Sequence, residues 1–247
     1  MIEKKIHYVW FGNRKSEKVL KCIESWKKLL PDYEIFEWNE RTFDVQKEIK
    51  ENKFFRECYK RKLWAFVSDY IRVKVLYEYG GIYLDTDMEI IKDITPLLNK
   101  ETELFLGYEN DFVMSFGIVG VIPRHKIFKR FLEFYQNDIW NSPLYIVTGI
   151  LTKILKEEYK EKNLTENGIK IYSKEYFYPF NHDEEFSQEC ITQNTYAIHW
   201  WGKSWNKNPK VYFLKYKHLP FWKKYPKHIC KLINFYFKKY LNIFKKK

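Results

Sequence analysis

The chain has 247 residues, 45% of them hydrophobic and 20% aromatic, with nine glycines and eight prolines. That is enough apolar material for one mid-sized core, and it excludes a low-complexity or disordered chain and a small stapled domain. The net charge of +12 sits at one end: from Cys190 onward there are 14 lysines and no acid, while the body before it is nearly neutral. This distribution points to an anionic surface met by the C-terminal end rather than to a nucleic acid wrapped by the whole domain.

The four cysteines, Cys22, Cys58, Cys190 and Cys230, are far apart and form no CxxC pair. No zinc or disulfide framework is expected, and a reducing compartment suits them. The opening MIEKKIHYVWFG lacks the apolar stretch and cleavage site of a secretory leader. No window of about 18 residues is free of charge, so a membrane-spanning helix is not expected either.

Residues 5–11 (KIHYVWF) are β-branched and aromatic and stop at Gly12-Asn13, which predicts a first strand and turn. In residues 16–30, Val19, Cys22, Ile23, Trp26, Leu29 and Leu30 recur at helical spacing until Pro31-Asp32 ends the pattern. Residues 33–38 predict a second strand. A β-α-β opening of this length implies an α/β layer fold with a parallel sheet. Residues 61–79 keep helical spacing up to Gly80-Gly81, and Ile82, Tyr83 and Leu84 then form a short strand running into Asp85-Thr86-Asp87. Strands are predicted over 104–108 and 115–122, helices over 125–135 and 148–159, and loops over 160–168 and 176–186.

Acids at the C-terminal end of a buried strand lie where open α/β sheets bind ligands. Asp85 and Asp87 flank one residue, so both carboxylates can share a hard divalent cation, Mn²⁺ or Mg²⁺, that carries substrate phosphates. A bare DxD is also compatible with two solvated turn acids. Asp69 and Arg72 stand at i, i+3 on the preceding helix, the spacing of an ordinary ion pair. Yet this helix leads straight into the DTD strand, so pair and acids can converge on one pocket.

These residues resemble glycosyltransferase family 32. The resemblance rests on SDYIRVKVLYEYGGIYLDTDMEI, on IHYVWFG near the start and on the SW…LPDYEIFEWNE stretch, and it runs from about Ile6 to Trp205. It implies a DXD-containing, retaining, sugar-nucleotide-dependent transferase of the GT-A fold, a single Rossmann-like domain with a mixed, mainly parallel sheet, as in clostridial toxin glucosyltransferase domains. It further implies that Trp10 stacks on the nucleotide base, that Asp69 and Arg72 hold donor-sugar hydroxyls and the diphosphate region, and that Asp85 contacts ribose or sugar and helps hold the metal. Asp87 would ligate the metal directly. Asn39 is a weaker candidate for a nucleoside contact, with a plain turn residue as the alternative.

A second constellation is HWWGKSW, residues 199–205. An imidazole can complete a cation site made by two carboxylates, and a lysine four residues on can neutralise a leaving diphosphate. By resemblance His199 becomes a metal-ligand candidate, and Lys203, Ser204 and Trp205 become diphosphate contacts. Two departures from the family pattern stand out: Ile150 replaces a usual proline in VTGILT, and no Asn occurs over residues 115–117.

The sequence thus predicts a glycosyltransferase domain over 1–210 and a basic tail over 211–247. The expected reaction moves a hexose from a nucleotide sugar, UDP-galactose or UDP-glucose, to a glycan acceptor that is lipid-linked, in surface polysaccharide synthesis. Two rival classes fit parts of this pattern, an aspartate-nucleophile phosphatase and a non-enzymatic basic membrane or nucleic-acid adaptor. In the tail, Ile229, Leu232, Ile233, Tyr236, Phe237, Tyr240, Leu241, Ile243 and Phe244 share one side of a helical wheel, and lysines lie opposite. This predicts peripheral attachment to an anionic surface, the inner face of a bacterial membrane, with no nucleic acid bound, because the tail has lysine and no arginine.

Overall fold

The opening apolar run forms β1 (Lys5–Val9). The amphipathic segment after it forms α1 (Glu17–Leu29), capped by the Ser16 side chain, which accepts the Val19 N–H. This computed structural model describes residues 1–12, 14–110, 113–159, 164–202 and 209–244, and within the last span the side chains of 209, 228, 234, 236 and 238–244 are left aside. Helix α1 buries Val19, Cys22, Ile23 and Trp26, as its spacing predicts. The chain then returns as β2 (Glu34–Trp38), parallel to β1. Two short helices follow, α2 (Val45–Glu51) and α3 (Lys53–Lys60), capped by Asp44 and Asn52. The sequence reading assigns neither, because α2 buries only Val45 and Glu48 and is too short for a periodic signal.

Helix α4 (Trp64–Tyr79) begins three residues later than the spacing predicts, because Lys62 adopts a left-handed φ of 56° that no helix can contain. It buries residues on nearly every side, including Val67, Ile71, Val73 and Leu76, and with them the polar Asp69 and Arg72. Gly80 ends it with φ 64°, and Gly81 follows with φ 87°. A Cβ on Gly80 would lie 2.6 Å from Pro123 and one on Gly81 2.7 Å from the Lys5 carbonyl. Only glycines let the helix turn directly into β3 (Gly81–Leu84).

The remaining strands are β4 (Met88–Ile90), β5 (Leu104–Tyr108), β6 (Met114–Val121), β7 (Ile169–Tyr172) and β8 (Ala197–His199). The main sheet has the order β2-β1-β3-β6-β5-β7; β1 pairs in parallel with β2 and β3, β5 with β7, and β6 runs antiparallel between β3 and β5. This is the mixed, mainly parallel sheet that the resemblance implies. A separate two-stranded ribbon joins β4 to β8. Strands β7 and β8, four and three residues long, escape the sequence reading for want of length.

Side chains alternate across β3, so Tyr83 joins one core cluster and Ile82 and Leu84 the other. Helix α4 and the later helices α5 (Lys126–Glu133) and α6 (Val147–Glu158) cover the first face, and α1 covers the second. Two bonds pin α1 to the ribbon: the Trp26 indole N–H donates to the Met88 carbonyl at 2.7 Å, and the Ser25 hydroxyl accepts the Ile90 N–H at 3.0 Å. All four cysteines are free.

At the C-terminal end lie α7 (Tyr212–Lys215) and α8 (Phe221–Phe244), the latter starting eight residues before the predicted wheel. Among its described side chains, Phe221 and Trp222 are 73% exposed and Ile233 and Phe237 61%. Among the described residues, no helix is long and apolar enough to cross a membrane.

Two buried histidines give the fold a pH dependence. Burial pushes both His7 and His125 down to about 4 from an ordinary 6.5. The unfolded chain therefore binds more protons between those values, and stability falls as pH drops through the window. Going from about pH 7 to about pH 5 is expected to cost about 2 kcal/mol at each site. The His125 Nδ1 accepts the Ile127 N–H at the start of α5. His125→Asn keeps such an acceptor and has no proton to gain, so urea unfolding at the two pH values should show a slope shallower by about 2 kcal/mol. An unchanged slope would count against this assignment.

Candidate active site

The DTD segment is a turn held at both ends. The Asp85 N–H donates to the Gly117 carbonyl at 2.7 Å, and the Met88 N–H returns to the Asp85 carbonyl at 2.9 Å. The antiparallel ribbon sets Met88 opposite His199. That register brings the His199 Nε2 to 3.1 Å from the Asp87 Oδ1, across a span that no local pattern encodes. Trp201 carries a left-handed φ of 48°, a conformation that costs a non-glycine residue of order 1 kcal/mol. Around it, the Trp200 N–H reaches the Asp87 carbonyl at 2.9 Å, and the Gly202 N–H reaches the Asp87 Oδ2 at 2.7 Å. A Cβ on Gly202 would stand 3.0 Å from that same oxygen.

From the other side, α4 delivers Asp69 and Arg72. The Arg72 Nη2 lies 2.9 Å from the Asp85 Oδ1 and 3.3 Å from the Asp69 Oδ1, and Nη1 donates to the Phe116 carbonyl at 3.0 Å. Its guanidinium sits 4.4 Å over the Tyr83 ring. The Tyr83 hydroxyl donates to the Asp85 Oδ1 at 3.3 Å and meets the Ser68 hydroxyl. The structure therefore unites Asp69, Arg72, Asp85, Asp87 and His199 in one network. Asp69 is fully buried behind the guanidinium.

Burial, partly offset by Arg72, raises the Asp69 carboxyl to about 8. Burial also leaves Asp85 raised, despite Arg72. Asp87 goes the other way: burial opposes ionisation, but His199 and the Gly202 N–H outweigh it and take the carboxyl to about 2. His199 is raised from its ordinary value because the Asp87 carboxylate overcomes its burial.

Asp85, Asp87 and His199 each offer a ligand atom, and these atoms lie within 4.8 Å of one another. The His199 Nδ1 and both Asp69 oxygens are buried without a hydrogen-bond partner. Two aspartates and an imidazole offer their ligand atoms on one side of the guanidinium, so the set is suited to a divalent cation of the Mn²⁺ or Mg²⁺ type.

Trp10 is half-buried at the end of β1, packed against the same core cluster as Trp201. The Asn39 side chain is taken up locally: its Oδ1 accepts the Arg41 N–H at 2.8 Å and its Nδ2 donates to Glu37. Lys203, Ser204 and Trp205 lie outside the described residues. Conversely, the sequence reading misses Tyr178, whose hydroxyl accepts the Ile118 N–H at 3.1 Å and whose ring meets His199 edge-on. It also misses Glu109, a carboxyl that burial raises despite a hydrogen bond from Ser115 and the nearby His199. Neither position carries a local signal; both depend on the β5-β6 hairpin and the long loop after β7.

Comparison with known proteins agrees with this geometry. Residues 16–104 match the family described as glycosyltransferase sugar-binding region containing DXD motif. An uncharacterized glycosyltransferase of Acanthamoeba polyphaga mimivirus is 27% identical over 241 residues, covering 90% of this chain and 91% of the viral protein. The Lactosylceramide 4-alpha-galactosyltransferase of Mus musculus is 28% identical over 151 residues, 56% of this chain and 41% of the mouse protein, so the chain spans less than half of that relative. Among solved structures, PaToxG Glycosyltransferase shares the fold with a TM-score of 0.51 at 19% identity, over 66% of this chain and 70% of that one. The fold is that of the GT-A glycosyltransferases. The matched region, residues 16–104, holds the DXD motif on which the family 32 resemblance rests.

Proposed function

We propose that the chain moves a hexose, with retention of configuration, from a nucleotide sugar, UDP-galactose or UDP-glucose, to a lipid-linked glycan acceptor in surface polysaccharide synthesis. The observation that carries this reading is the convergence of the Asp85, Asp87 and His199 ligand atoms beside the buried Arg72. These three residues would hold Mn²⁺ or Mg²⁺, which when bound neutralises the charge gathering on a departing diphosphate. Arg72 adds fixed positive charge beside them, kept in place by Asp85, Asp69 and the Phe116 carbonyl, so no reorganisation is needed as the leaving group charges. Lys203, Ser204 and Trp205 complete the diphosphate contacts, and Trp10 stacks on the uracil. Attack on the face that the diphosphate leaves accounts for retention. The name of the mouse relative supports a galactosyl donor and a glycolipid acceptor.

The chain acts at the inner face of a membrane, attached through α8. Supporting this, the exposed Phe221, Trp222, Ile233 and Phe237 share the helix with Lys223, Lys227 and Lys231, and no acid accompanies them.

The test of the reaction is release of free nucleoside diphosphate from a panel of nucleotide sugars with Mn²⁺, and again in excess chelator. UDP-hexoses should be cleaved and chelation should stop it; an NMR spectrum of the product should show the donor's anomeric configuration. Cleavage of none of the panel, or cleavage that chelation leaves intact, overturns the reading.

A further inference from the structure

Away from the DXD network, a cavity of about 470 Å³ opens where α3 meets the start of the C-terminal segment. It shares no residue with the cluster of Asp85, Asp87 and His199. Its buried floor is Phe213 and Lys217, and Lys53, Arg61, Lys224 and Glu57 stand around it. Four cations thus surround one carboxylate, and that carboxylate is already bound to the Arg61 Nη1.

The cations are available in a way that surface lysines of a solvated face are not. Lys217 is only 6% exposed, and its ammonium donates to the Ser142 and Leu144 carbonyls, each at 2.7 Å. An ammonium has three donors, so one remains. No carboxylate pairs with Lys217, Lys53 or Lys224 among the described residues. Burial without a counter-charge pushes Lys217 down to about 8, still mostly charged at neutral pH. The Arg61 guanidinium is seated 4.2 Å over the Phe213 ring, and the Lys53 ammonium 4.5 Å over Trp140. These rings fix where the charges stand without neutralising them.

A net excess of three positive charges in a concave site, with a guanidinium fork among them, selects a compact polyvalent anion with several acceptor oxygens, which is a phosphate group. The surroundings select its source. Lys224 and Tyr225, which border the cavity, belong to the first turns of α8, the helix whose Phe221 and Trp222 stand out from the surface. A phosphate entering here meets the same helix turns that carry the exposed Phe221 and Trp222, aromatic residues suited to a bilayer interface.

We propose that this cavity binds the headgroup phosphate of an anionic lipid and so docks the enzyme on the membrane by the root of α8. The proposal rests on the membrane attachment put forward above. It deepens that reading, because binding is then by a formed site and not only by the diffuse charge of the helix.

The test uses the full chain and vesicles of phosphatidylcholine with or without phosphatidylglycerol. Two double variants are compared: Lys53→Gln with Lys224→Gln at the cavity, and Lys227→Gln with Lys231→Gln on the same charge count along the helix. Release of nucleoside diphosphate from the donor should be unchanged in both, which shows that they are folded. The helix pair is expected to lose affinity for phosphatidylglycerol vesicles by about thirtyfold or less, the worth of two diffuse charges, and the cavity pair by about a hundredfold or more. Equal losses in the two pairs overturn the cavity and leave the helix reading standing. If the wild type ignores anionic vesicles altogether, the attachment itself fails. In that case, titration with inorganic phosphate and with glycerol 3-phosphate decides what the cavity holds: binding that the cavity pair abolishes assigns it to a soluble phosphate compound and overturns the lipid source.

Discussion

Asp87→Ala is expected to abolish sugar transfer and leave a folded protein. The Asp87 carboxylate binds His199 through one oxygen and the Gly202 N–H through the other, so its removal takes one of three ligand atoms and also frees the segment that carries a second. A rate loss of about a thousandfold or more, a barrier rise of roughly 4 kcal/mol, is the expected scale. The stability cost is smaller. Asp87 is taken down to about 2 from 3.8, so it stabilises the folded state above its unfolded value, and that contribution disappears as pH falls through the window between them. At neutral pH the loss is then about 2 kcal/mol, which a domain of ordinary stability survives. Donor cleavage at saturating Mn²⁺, read beside a thermal melt, checks both parts. Turnover near that of the wild type would remove the carboxylate from the proposed metal site.

Asp69→Asn and Arg72→Lys are expected to separate activity from stability. Asp69 is wholly buried with neither oxygen hydrogen-bonded, and its carboxyl is raised to about 8, which means that burial penalises its charge and keeps it mostly protonated at neutral pH. Asn matches the neutral carboxyl in shape and charge, so the variant should melt no lower than the wild type while transfer falls by more than about tenfold, or roughly 1.4 kcal/mol. Arg72→Lys should lose at least as much activity and also melt lower. A lysine cannot reach the Phe116 carbonyl and two carboxylates with one planar fork, nor stack in the same way on Tyr83, and it leaves Asp69 and Asp85 poorly compensated. A solvated helix bridge would instead cost well under about 1 kcal/mol and leave kinetics intact. Near-normal kinetics in both variants would return the pair to that structural role.

The parts of this site legible in the sequence are those whose geometry is local. Asp85 and Asp87 are two positions apart, Asp69 and Arg72 one helical turn apart, and Gly80-Gly81 forces helix and strand into a fixed relation. His199 is different. Its approach to Asp87 depends on the pairing of β4 with β8, two three-residue strands, and only the family resemblance singles it out. Tyr178 and Glu109 were illegible for the same reason: a tyrosine in a long loop and a glutamate at a hairpin acquire meaning only when the sheet sets them beside His199. Helices α2 and α3 stayed hidden because each is barely two turns long, too little for periodicity to show above noise.

The ribbon of β4 and β8 has a further consequence, for the order in which the protein is made. Asp87 and the Gly202 N–H that holds it are 115 positions apart. At about 5–20 residues per second, a ribosome that has finished the DTD turn needs roughly 6–23 seconds to supply the strand that closes over it. During that interval α4 and β3 can already pack, but the two aspartates stand without the imidazole and backbone donors that later order them. Completion of the donor site is therefore a late event in biosynthesis, and a nascent chain cut short before β8 carries most of the core and none of the finished metal-binding geometry.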